Sequence, residues 1–390
     1  MSFRTRLAAL AVLAPLSLTA CAQGAASDPS STPERIVSGT TSTSEPSPSA
    51  TPEDVGGPAT AAVTDQSVVA TGLSSPWDLE LLADGSFLVS ERDTAAIKHV
   101  RAGVATALNG PGAEALRGMV DASGEGGLLG IAVLEGDTSY LYAYVTRADD
   151  NAVVRMALNG DLLGQPTTII DGIPKAKADN GGRIAFGPDG HLYVATGDAG
   201  REERARDSSA LAGKILRVVA NGGDKDGTAA KGNPWGNRVW SLGHRNVEGL
   251  AWVADGRMYA SELGADAWDE LNLIESGADY GWPASEGQDG LPIDGVTAPV
   301  VSWSPNEASP SGVAATHEAV YVASLKGERL WRVPLTAEGT GDPQVILDGL
   351  GRIRDVAAAA DGSLYVLTDN TDSRGKPTQG DDRVVRITVG

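Results

Sequence analysis

The chain has 390 residues, a single cysteine and a formal net charge of −20 at pH 7. One cysteine excludes a disulfide within the chain. A strongly acidic surface repels the phosphate backbone of nucleic acid, so nucleic acid is not expected as a partner.

The first 20 residues have the pattern of a bacterial export signal. Arg4 and Arg6 precede an apolar run from Leu7 to Leu18, and small residues follow. The apolar run is too short to span a bilayer comfortably. The sequence LTAC, which ends at Cys21, resembles the bacterial lipobox, and this cysteine would then carry the lipid. We predict an extracytoplasmic protein that is lipid-anchored to the cell membrane; an ordinary cleaved signal with an incidental cysteine is the alternative.

Residues 21–62 are dominated by serine, threonine, proline, alanine and glycine. This composition offers almost nothing large and apolar to bury, which predicts a disordered tether. A flexible chain of this length reaches roughly 35 Å, enough to hold a domain clear of a membrane surface. The folded domain is therefore expected to cover residues 63–390.

From residue 63 onward, the same pattern of β-strands recurs six times. Each unit contains a strand, a turn rich in Gly and Asp, a second β-rich strand, a loop and a third strand. The turn and second strand read, for example, LLADGSFLVS, FGPDGHLYVAT, WVADGRMYAS and AAADGSLYVL. The repeat length is near that of propeller blades, so we predict an all-β, six-bladed β-propeller. A β-sandwich gives no reason for six similar units.

The repeats also predict which side chains converge in space. Positions at equal distances before the glycine of each Asp-Gly turn lie in the loop that precedes the first strand of a unit. In a rotationally repeated fold, such positions lie on one rim of the central channel, a common place for a ligand site. These rim positions hold Trp77, Asp179, Asn180, Arg245, Asn246, Glu248, Arg352 and Arg354, with Glu125 at nearly the same place in the second unit.

The rim gathers cations in an acidic protein. Arg245, Arg352 and Arg354 belong to it, and Lys326 in the motif SLKGERL is expected to join them. The two arginines of RIRD lie on the same side of an extended segment. A cationic pocket of this kind favours a small polyanion as the ligand rather than nucleic acid. For any one of these charges, an exposed loop residue is the alternative interpretation.

Six motifs, taken in chain order, resemble the soluble quinoprotein aldose sugar dehydrogenases of the glucose/sorbosone dehydrogenase family. They are HLYVATGD, LAGKILRV, GHRNVEGLAW, DELNLIESGADYGWP, SLKGERLWRV and RIRDVAAAADGSLYVLTD. The resemblance covers essentially the whole chain after the tether. It implies a six-bladed propeller that binds pyrroloquinoline quinone (PQQ) and calcium. It also implies that the C1 hydroxyl of an aldose sugar is oxidised to a lactone and that an external acceptor takes the electrons.

The resemblance assigns cofactor contacts residue by residue. PQQ carries three carboxylates and an ortho-quinone, which suits the cations of the rim. The matching positions are Arg245 and Asn246 in HRN, Lys326 in LK, Arg352 and Arg354 in R-x-R-D, and Glu125, where some relatives have glutamine near the quinone.

The resemblance also assigns two calcium sites. The backbone carbonyls of Gly264 and Ala265 match those that hold the catalytic calcium, although the family often has proline at the second position. A backbone ligand tolerates that change of side chain, and carbonyl oxygen suits a hard cation. Asp269, Glu270 and Tyr280 lie in an acidic segment that resembles the second, structural site. This segment, DAWDELN, lacks the ligand spacing of an EF-hand, so its residues alone indicate a solvated turn.

One catalytic position departs from the family pattern. The histidine of the family's H-x-GGR motif, which takes the proton of the sugar hydroxyl, aligns with Asp179, and the motif here is DNGGR. Aspartate has a reference pKa of about 3.9 against about 6.5 for histidine. Nearby cations are expected to lower the pKa of Asp179 further. Asp179 is therefore expected to be the weaker base at neutral pH.

Three interpretations of this position stay open. Asp179 acts as a carboxylate base, or the chain binds the cofactor with little or no turnover, or another residue replaces the base, with His244 the nearest candidate in sequence. Two other function classes also stay open, a non-catalytic propeller that binds a sugar or a protein and a metal-dependent lactonase. Lactonases gather carboxylates and asparagine around their metal, whereas this rim gathers arginine, which disfavours the lactonase.

Overall fold

The computed structural model describes residues 57–58, 60–134, 137–337 and 339–390. The predicted export signal and the predicted lipid attachment at Cys21 lie outside these residues, as does most of the predicted tether. The first strand begins at Val63, and the domain boundaries stay predictions. Within the described ranges, no helix has the length and apolar character that a membrane crossing requires.

The described residues form six antiparallel sheets, which confirms the predicted six-bladed propeller. The first strand of the described residues is β1 (Val63–Ala70), which belongs to the last blade. The strands of blades 1 to 3 are β2 (Pro76–Leu81), β3 (Phe87–Glu91), β4 (Ala96–Arg101) and β5 (Val104–Ala107); β6 (Leu128–Leu134), β7 (Asp137–Thr146), β8 (Asn151–Asn159), β9 (Leu162–Leu163) and β10 (Thr167–Ile173); and β11 (Gly181–Phe186), β12 (Leu192–Thr196), β13 (Lys214–Val218) and β14 (Val239–Leu242).

Blades 4 and 5 continue this order, and blade 6 combines three strands with β1. Their strands are β15 (Val247–Trp252), β16 (Met258–Glu262), β17 (Asp269–Ile274) and β18 (Val301–Trp303); β19 (Pro310–Ala315), β20 (Ala319–Ser324), β21 (Arg329–Thr336), β22 (Gly339–Thr340) and β23 (Gln344–Asp348); and β24 (Ile353–Ala358), β25 (Leu364–Thr368) and β26 (Val384–Val389). The described part also contains helix α1 (Pro111–Met119) and a 3-10 turn (Glu202–Arg204).

The two ends of the domain close the ring within one sheet. β1 pairs antiparallel with β26, from Val63 opposite Val389 to Ala70 opposite Val384. The N-terminal strand is therefore the outermost strand of blade 6. The first strand of each blade lies nearest the axis, because β2, β6, β11, β15, β19 and β24 each contact the first strands of both neighbouring blades.

Six clusters of buried apolar side chains lie between neighbouring blades. In one of them, Tyr142 and Tyr144 of blade 2 pack with Leu192 and Val194 of blade 3. Because a blade is covered on both faces, its middle strands are apolar on both faces, as in the fully buried β12. This burial explains the runs of β-branched and aromatic residues from which the strands were predicted.

The Asp-Gly turns mark one face of the propeller. Gly85, Gly190, Gly256 and Gly362 have φ angles of 81°, 71°, 92° and 82°, in the left-handed region that favours glycine. We call this face the turn face. The opposite face, where a loop precedes the first strand of each blade, is called the loop face, and the predicted rim residues lie there.

Candidate functional site

Asp179 lies at the loop face, in the loop that enters β11. Its φ is 58°, in the left-handed region that aspartate tolerates better than most residues. Its carbonyl accepts a hydrogen bond from Ala199 N at 3.0 Å, and a side chain at Gly197 would collide with this carbonyl. These contacts fix the direction in which the Asp179 side chain leaves the backbone.

The carboxylate of Asp179 pairs with a guanidinium from the next blade. Arg245 Nη2 donates to Asp179 Oδ2 at 3.0 Å, and the two side chains are only 18% and 17% exposed. The N–H of Asp179 donates to Glu125 Oε2 at 3.2 Å. Arg374 Nη2 donates to the other oxygen of Glu125 at 3.0 Å. Residues from blades 2, 3, 4 and 6 thus meet at one place on the loop face.

The pKa of Asp179 is higher than its sequence indicated. Burial raises this pKa to about 6, Arg245 acts against the rise, and three nearby carboxylates add to it. The carboxylates are Asp198, Glu125 and Glu248. The prediction that nearby cations lower the pKa of Asp179 is wrong, because desolvation and the neighbouring negative charges outweigh the effect of one paired guanidinium. A carboxylate with this pKa is a stronger base than an ordinary aspartate.

Arg354 is buried near the centre of the loop face. Its Nη1 donates to Glu248 Oε2 at 3.0 Å, and its Nε donates to Asp369 Oδ2 at 2.9 Å. Its guanidinium also lies over the ring of Trp77, at 5.9 Å from the centroid. Two carboxylates thus compensate the cost of burying this charge.

Arg352 and Lys326 differ in burial and in the use of their donors. Arg352 Nη2 donates to Asp372 Oδ2 at 2.8 Å, but its buried Nε has no hydrogen-bond partner. Lys326 is exposed in the loop between β20 and β21. Arg352 therefore keeps one unused buried donor, and Lys326 keeps its ammonium accessible to a ligand.

The arginines of the rim converge, but each is paired with a carboxylate. The pairs are Arg245 with Asp179, Arg352 with Asp372, Arg354 with Glu248 and Asp369, and Arg374 with Glu125. The net positive charge of the pocket is therefore smaller than the sequence alone indicates.

Four residues around the site were not predicted from the sequence. They are Arg92, Arg374, Asp369 and Asp372. Arg92 and Arg374 line a cleft with Glu125 and Arg354. A signal for some of them existed, because the second strand of each blade ends at the loop face. Arg92 directly follows β3, and Asp369 directly follows β25.

Asn246 ties the loop that carries Asp179 to blade 4. Its Oδ1 accepts from Gly181 N at 2.8 Å, and its Nδ2 donates to Glu248 Oε1 at 3.3 Å. The residue is only 1% exposed. Both ends of the amide are thus used within the protein, and Asn246 positions the loop.

Replacement of Asn246 by alanine should lower the free energy of unfolding by about 1–3 kcal/mol, because the buried Gly181 N–H loses its acceptor. Denaturant unfolding measures the change. The exposed Asn306, whose side chain makes no hydrogen bond with the described residues, provides the matched control, and Asn306→Ala should stay within about 0.5 kcal/mol of wild type. Equal stability of the two variants would contradict the positioning role.

Arg183, the arginine of DNGGR, forms hydrogen bonds across the channel beneath the rim. Its Nη1 donates to Asp78 and to Asp355, the latter at 3.1 Å, and its Nε donates to Glu248 O at 2.8 Å. Its guanidinium lies 4.6 Å from the centroid of the Trp77 ring. Arg183 thus joins blades 1, 3, 4 and 6 below the site.

The carbonyl of Gly264, a predicted calcium ligand, faces Arg245. Arg245 Nη1 donates to Gly264 O at 2.6 Å. The N–H groups of Ala265 and the next three residues all donate to Glu286 Oε1, at 2.7 to 3.1 Å. One carboxylate therefore holds this loop so that the Gly264 carbonyl points toward the guanidinium that pairs with Asp179.

The residues of the predicted second calcium site use their polar atoms within the fold. The two oxygens of Asp269 accept backbone N–H groups at 3.0 and 2.7 Å, and those of Glu270 accept hydrogen bonds at 2.6 and 2.9 Å. Burial, together with Glu262, raises the pKa of Glu270 to about 8. The hydroxyl of Tyr280 donates to a backbone carbonyl at 2.6 Å. In the part of the chain that the structure describes, no three His, Cys, Asp or Glu side chains are grouped to hold a metal ion.

His244, the alternative base, is part of the interior. It is completely buried, and its two ring nitrogens lie 2.8 Å from Ser241 Oγ and 2.8 Å from Glu262 Oε2. Its ring stacks on Tyr280 with the centroids 4.7 Å apart. Both nitrogens are occupied, so this side chain is not available to a substrate at the loop face.

Comparison with known proteins gives consistent matches over the propeller. The profile of the Glucose / Sorbosone dehydrogenase family matches residues 73–376. The PQQ-bound form of an aldose sugar dehydrogenase from Streptomyces coelicolor is 47% identical, with a TM-score of 0.79, and the match covers 85% of this chain and 99% of that one. A putative oxidoreductase (glucose dehydrogenase) from Thermus thermophilus is 38% identical, with a TM-score of 0.75 and coverage of 83% and 99%.

A similar relative among curated proteins is an aldose sugar dehydrogenase from Escherichia coli (strain K12). It is 27% identical over 347 residues, which cover 80% of this chain and 91% of the relative. The family profile extends from the first blade into the loop after β25 that carries Asp372 and Arg374, and so includes every residue of the site described above. From this match and the six-bladed fold, we conclude that the chain belongs to the glucose/sorbosone dehydrogenase family.

Proposed function

We propose that this protein is a PQQ- and calcium-dependent aldose sugar dehydrogenase, which oxidises the C1 hydroxyl of an aldose to the lactone and passes the electrons to an external acceptor. The observation that carries the proposal is the position of Asp179, whose carboxylate has a pKa of about 6 and lies beside an arginine-lined cleft. The PQQ-bound relative at 47% identity supports the choice of cofactor.

The donors around the cleft fit a small molecule with several carboxylates. Arg352 Nε is a buried donor without a partner, Lys326 is exposed at the rim, and Arg354 lines the cleft. Hydrogen bonds from cationic donors to carboxylates are short and strong. These three residues would hold the carboxylates of PQQ, with Arg245 and Glu125 near the quinone and Asn246 acting through the loop that it fixes.

The carbonyls of Gly264 and Ala265 would hold the catalytic calcium, as backbone oxygen suits this ion. Arg245 would then have to leave Gly264 O, to which it now donates at 2.6 Å. A structural calcium is proposed at Asp269, Glu270 and Tyr280, whose side-chain oxygens would then have to exchange hydrogen bonds within the fold for the ion. When bound, PQQ would supply the acceptor for the hydride of C1, and calcium would supply a Lewis acid beside it.

Asp179 would take the proton of the C1 hydroxyl. Its Oδ2 is bonded to Arg245, while its Oδ1 accepts no hydrogen bond from the described residues and stays available to the hydroxyl. Arg245 orients the carboxylate, and the hydrogen bond from Asp179 N to Glu125 fixes the backbone behind it. With a pKa of about 6, the carboxylate is mostly ionised at pH 7 and can receive the proton.

A second candidate is a propeller that binds quinone or sugar with little or no catalysis. The ion pair between Asp179 and Arg245 at 3.0 Å favours it, because a guanidinium that stays in place reduces the basicity of the carboxylate. The two candidates share the binding site and differ only in turnover.

Reconstitution of the purified protein separates these candidates. PQQ is titrated with and without calcium while thermal stability is followed, and dye reduction is then measured with a panel of aldoses. We expect PQQ and calcium together to raise the melting temperature and to support dye reduction. Binding without dye reduction would favour the second candidate, and the absence of a thermal shift with PQQ and with every aldose would contradict both.

We also propose that a lipid on Cys21 holds the protein outside the cytoplasm at the cell membrane. The lipobox-like sequence before Cys21 supports this proposal. Cys21→Ser should release the protein from the membrane fraction or leave it unprocessed, and immunoblots of fractionated cells measure the outcome. Unchanged retention and processing of the variant would contradict the proposed anchor.

A further inference from the structure

The central channel has a second opening at the turn face, opposite the site described above. A cavity of about 630 Å³ lies there, within the range of roughly 300–1,000 Å³ that is usual for small-molecule sites. A smaller cavity of about 230 Å³ extends to Arg183, and both cavities are lined by Glu80 and Trp252. The opening therefore leads into the interior of the propeller.

The last residues of the first strands form much of the cavity wall. They are Leu81, Leu134, Phe186, Trp252 and Ala358. Phe186 packs edge-on against Tyr142 at a centroid distance of 5.4 Å, and Trp252 packs against Tyr193 at 5.0 Å. These contacts behind the wall hold both aromatic rings in place, so the apolar surface is formed before any ligand arrives.

The charge of the cavity is negative. Among the described residues, its lining contains the carboxylates of Glu80 and Asp361 and no lysine or arginine. Asp361 is exposed and pairs with Arg386 at 2.8 Å. Glu80 Oε1 accepts from Val133 N at 2.9 Å, and Glu80 Oε2 accepts no hydrogen bond from the described residues. One carboxylate oxygen of the lining is thus left for a ligand.

The groups deeper in the channel favour the same sign of ligand charge. Asp78, Asp355 and Arg183 line the smaller cavity together with Glu80. Burial raises the pKa of Asp78, but the carboxyl groups outnumber the one guanidinium. Burial raises the pKa of Glu80 to about 7, Asp355 adds to the rise and Arg183 opposes it. A cation beside Glu80 would favour the ionised carboxylate and offset its desolvation.

We propose that the turn-face cavity binds a small organic ammonium ion, with its nitrogen at Glu80 and its apolar body against Phe186 and Trp252. Aromatic walls and a carboxylate recognise an ammonium group by cation–π attraction and a charge-assisted hydrogen bond. The apolar walls suit an organic cation better than a metal ion, for which the described residues offer no group of three ligating side chains. This binding site does not depend on sugar oxidation at the loop face.

Calorimetric titration with three probes of similar shape and different charge tests the proposal. Benzylamine should bind the wild-type protein at one site, at least about tenfold more tightly than benzyl alcohol, a difference of about 1.4 kcal/mol. Benzoate should not bind.

Glu80→Gln keeps an acceptor for Val133 N and removes the charge, so benzylamine should then bind no better than benzyl alcohol. Glu203→Gln, which removes an exposed carboxylate in the 3-10 turn after β12, away from both cavities, is the matched control and should change the affinity less than about twofold.

Two results would overturn the proposal. One is equal affinity of the wild-type protein for benzylamine and benzyl alcohol, a comparison that stays decisive if Glu80→Gln does not fold. The other is an unchanged benzylamine affinity in a folded Glu80→Gln variant. Trp252→Leu gives a second check, because loss of the aromatic wall should weaken benzylamine binding while the Glu80 carboxylate remains.

Discussion

Asp179→Asn should reduce sugar turnover by about 10²–10⁴-fold, the usual contribution of a general base. Asparagine tolerates the backbone φ of 58° and keeps an acceptor for Arg245, but it cannot take a proton at neutral pH. Quinone affinity should stay nearly unchanged, because other residues hold the cofactor. Steady-state dye reduction at saturating PQQ, calcium and aldose measures the loss.

The control for this variant is Glu203→Gln, which removes an exposed carboxylate from the 3-10 turn after β12. It should leave turnover nearly unchanged. Equal activity in wild type and Asp179→Asn would exclude Asp179 as the base. Since His244 is buried with both nitrogens occupied, such a result would require a base from another part of the loop face.

The pH profile and a restored family motif test the same role independently. A carboxylate base acts in its ionised form, so turnover should rise with pH through the pKa of about 6 and level off above it. Asp179→His restores H-x-GGR and should raise activity near neutral pH. A wild type that is inactive with every aldose, but is rescued by this change, would establish the second candidate function.

Arg354→Ala should lower the free energy of unfolding of the cofactor-free protein by about 3–5 kcal/mol, the usual cost of removing one partner of a buried ion pair. The guanidinium is only 3% exposed and pairs with Glu248 and Asp369. Its loss leaves two carboxylates buried without this partner. Each also has another carboxylate nearby, because Asp369 lies near Asp372 and Glu248 lies near Asp179. Denaturant unfolding measures the change.

Arg386 provides the matched control for this variant. Its pair with Asp361 lies at the turn face, where the two side chains are 33% and 59% exposed. Arg386→Ala should change the stability by no more than about 1 kcal/mol, because exposed pairs contribute little. A similar small change in Arg354→Ala would show that the ion pairs of the rim are not important for the fold.

The fold and the rim positions could be predicted because the blades repeat. Each blade presents its first strand to the axis in the same direction, so residues at equal distances from the Asp-Gly turns meet at the loop face. Arg354 thus contacts Glu248 and Trp77, although the three are far apart in sequence. The cofactor and calcium assignments came only from the family resemblance. The residues around Gly264 and Asp269 show no ligand spacing from which a calcium site could be predicted.

The environment of the rim could not be predicted in this way. The pKa of Asp179 depends on burial and on carboxylates that approach from other blades, and loops that do not repeat set their distances. Asp372, the partner of Arg352, and Asp369, one partner of Arg354, lie in the loop after β25, and the sequence of this loop does not repeat in the other units. Sequence proximity was also misleading for His244, whose side chain turns inward to Glu262.

A single turnover of the quinone-loaded protein tests the proposed function most directly. Protein saturated with PQQ and calcium is mixed anaerobically with excess aldose, without any electron acceptor, and the absorbance of the bound cofactor is followed. We predict an absorbance change with at least one aldose, at a rate that rises with pH through about 6 and that falls sharply in Asp179→Asn. No change with any aldose, in protein that has bound PQQ, would contradict the assignment as a sugar dehydrogenase.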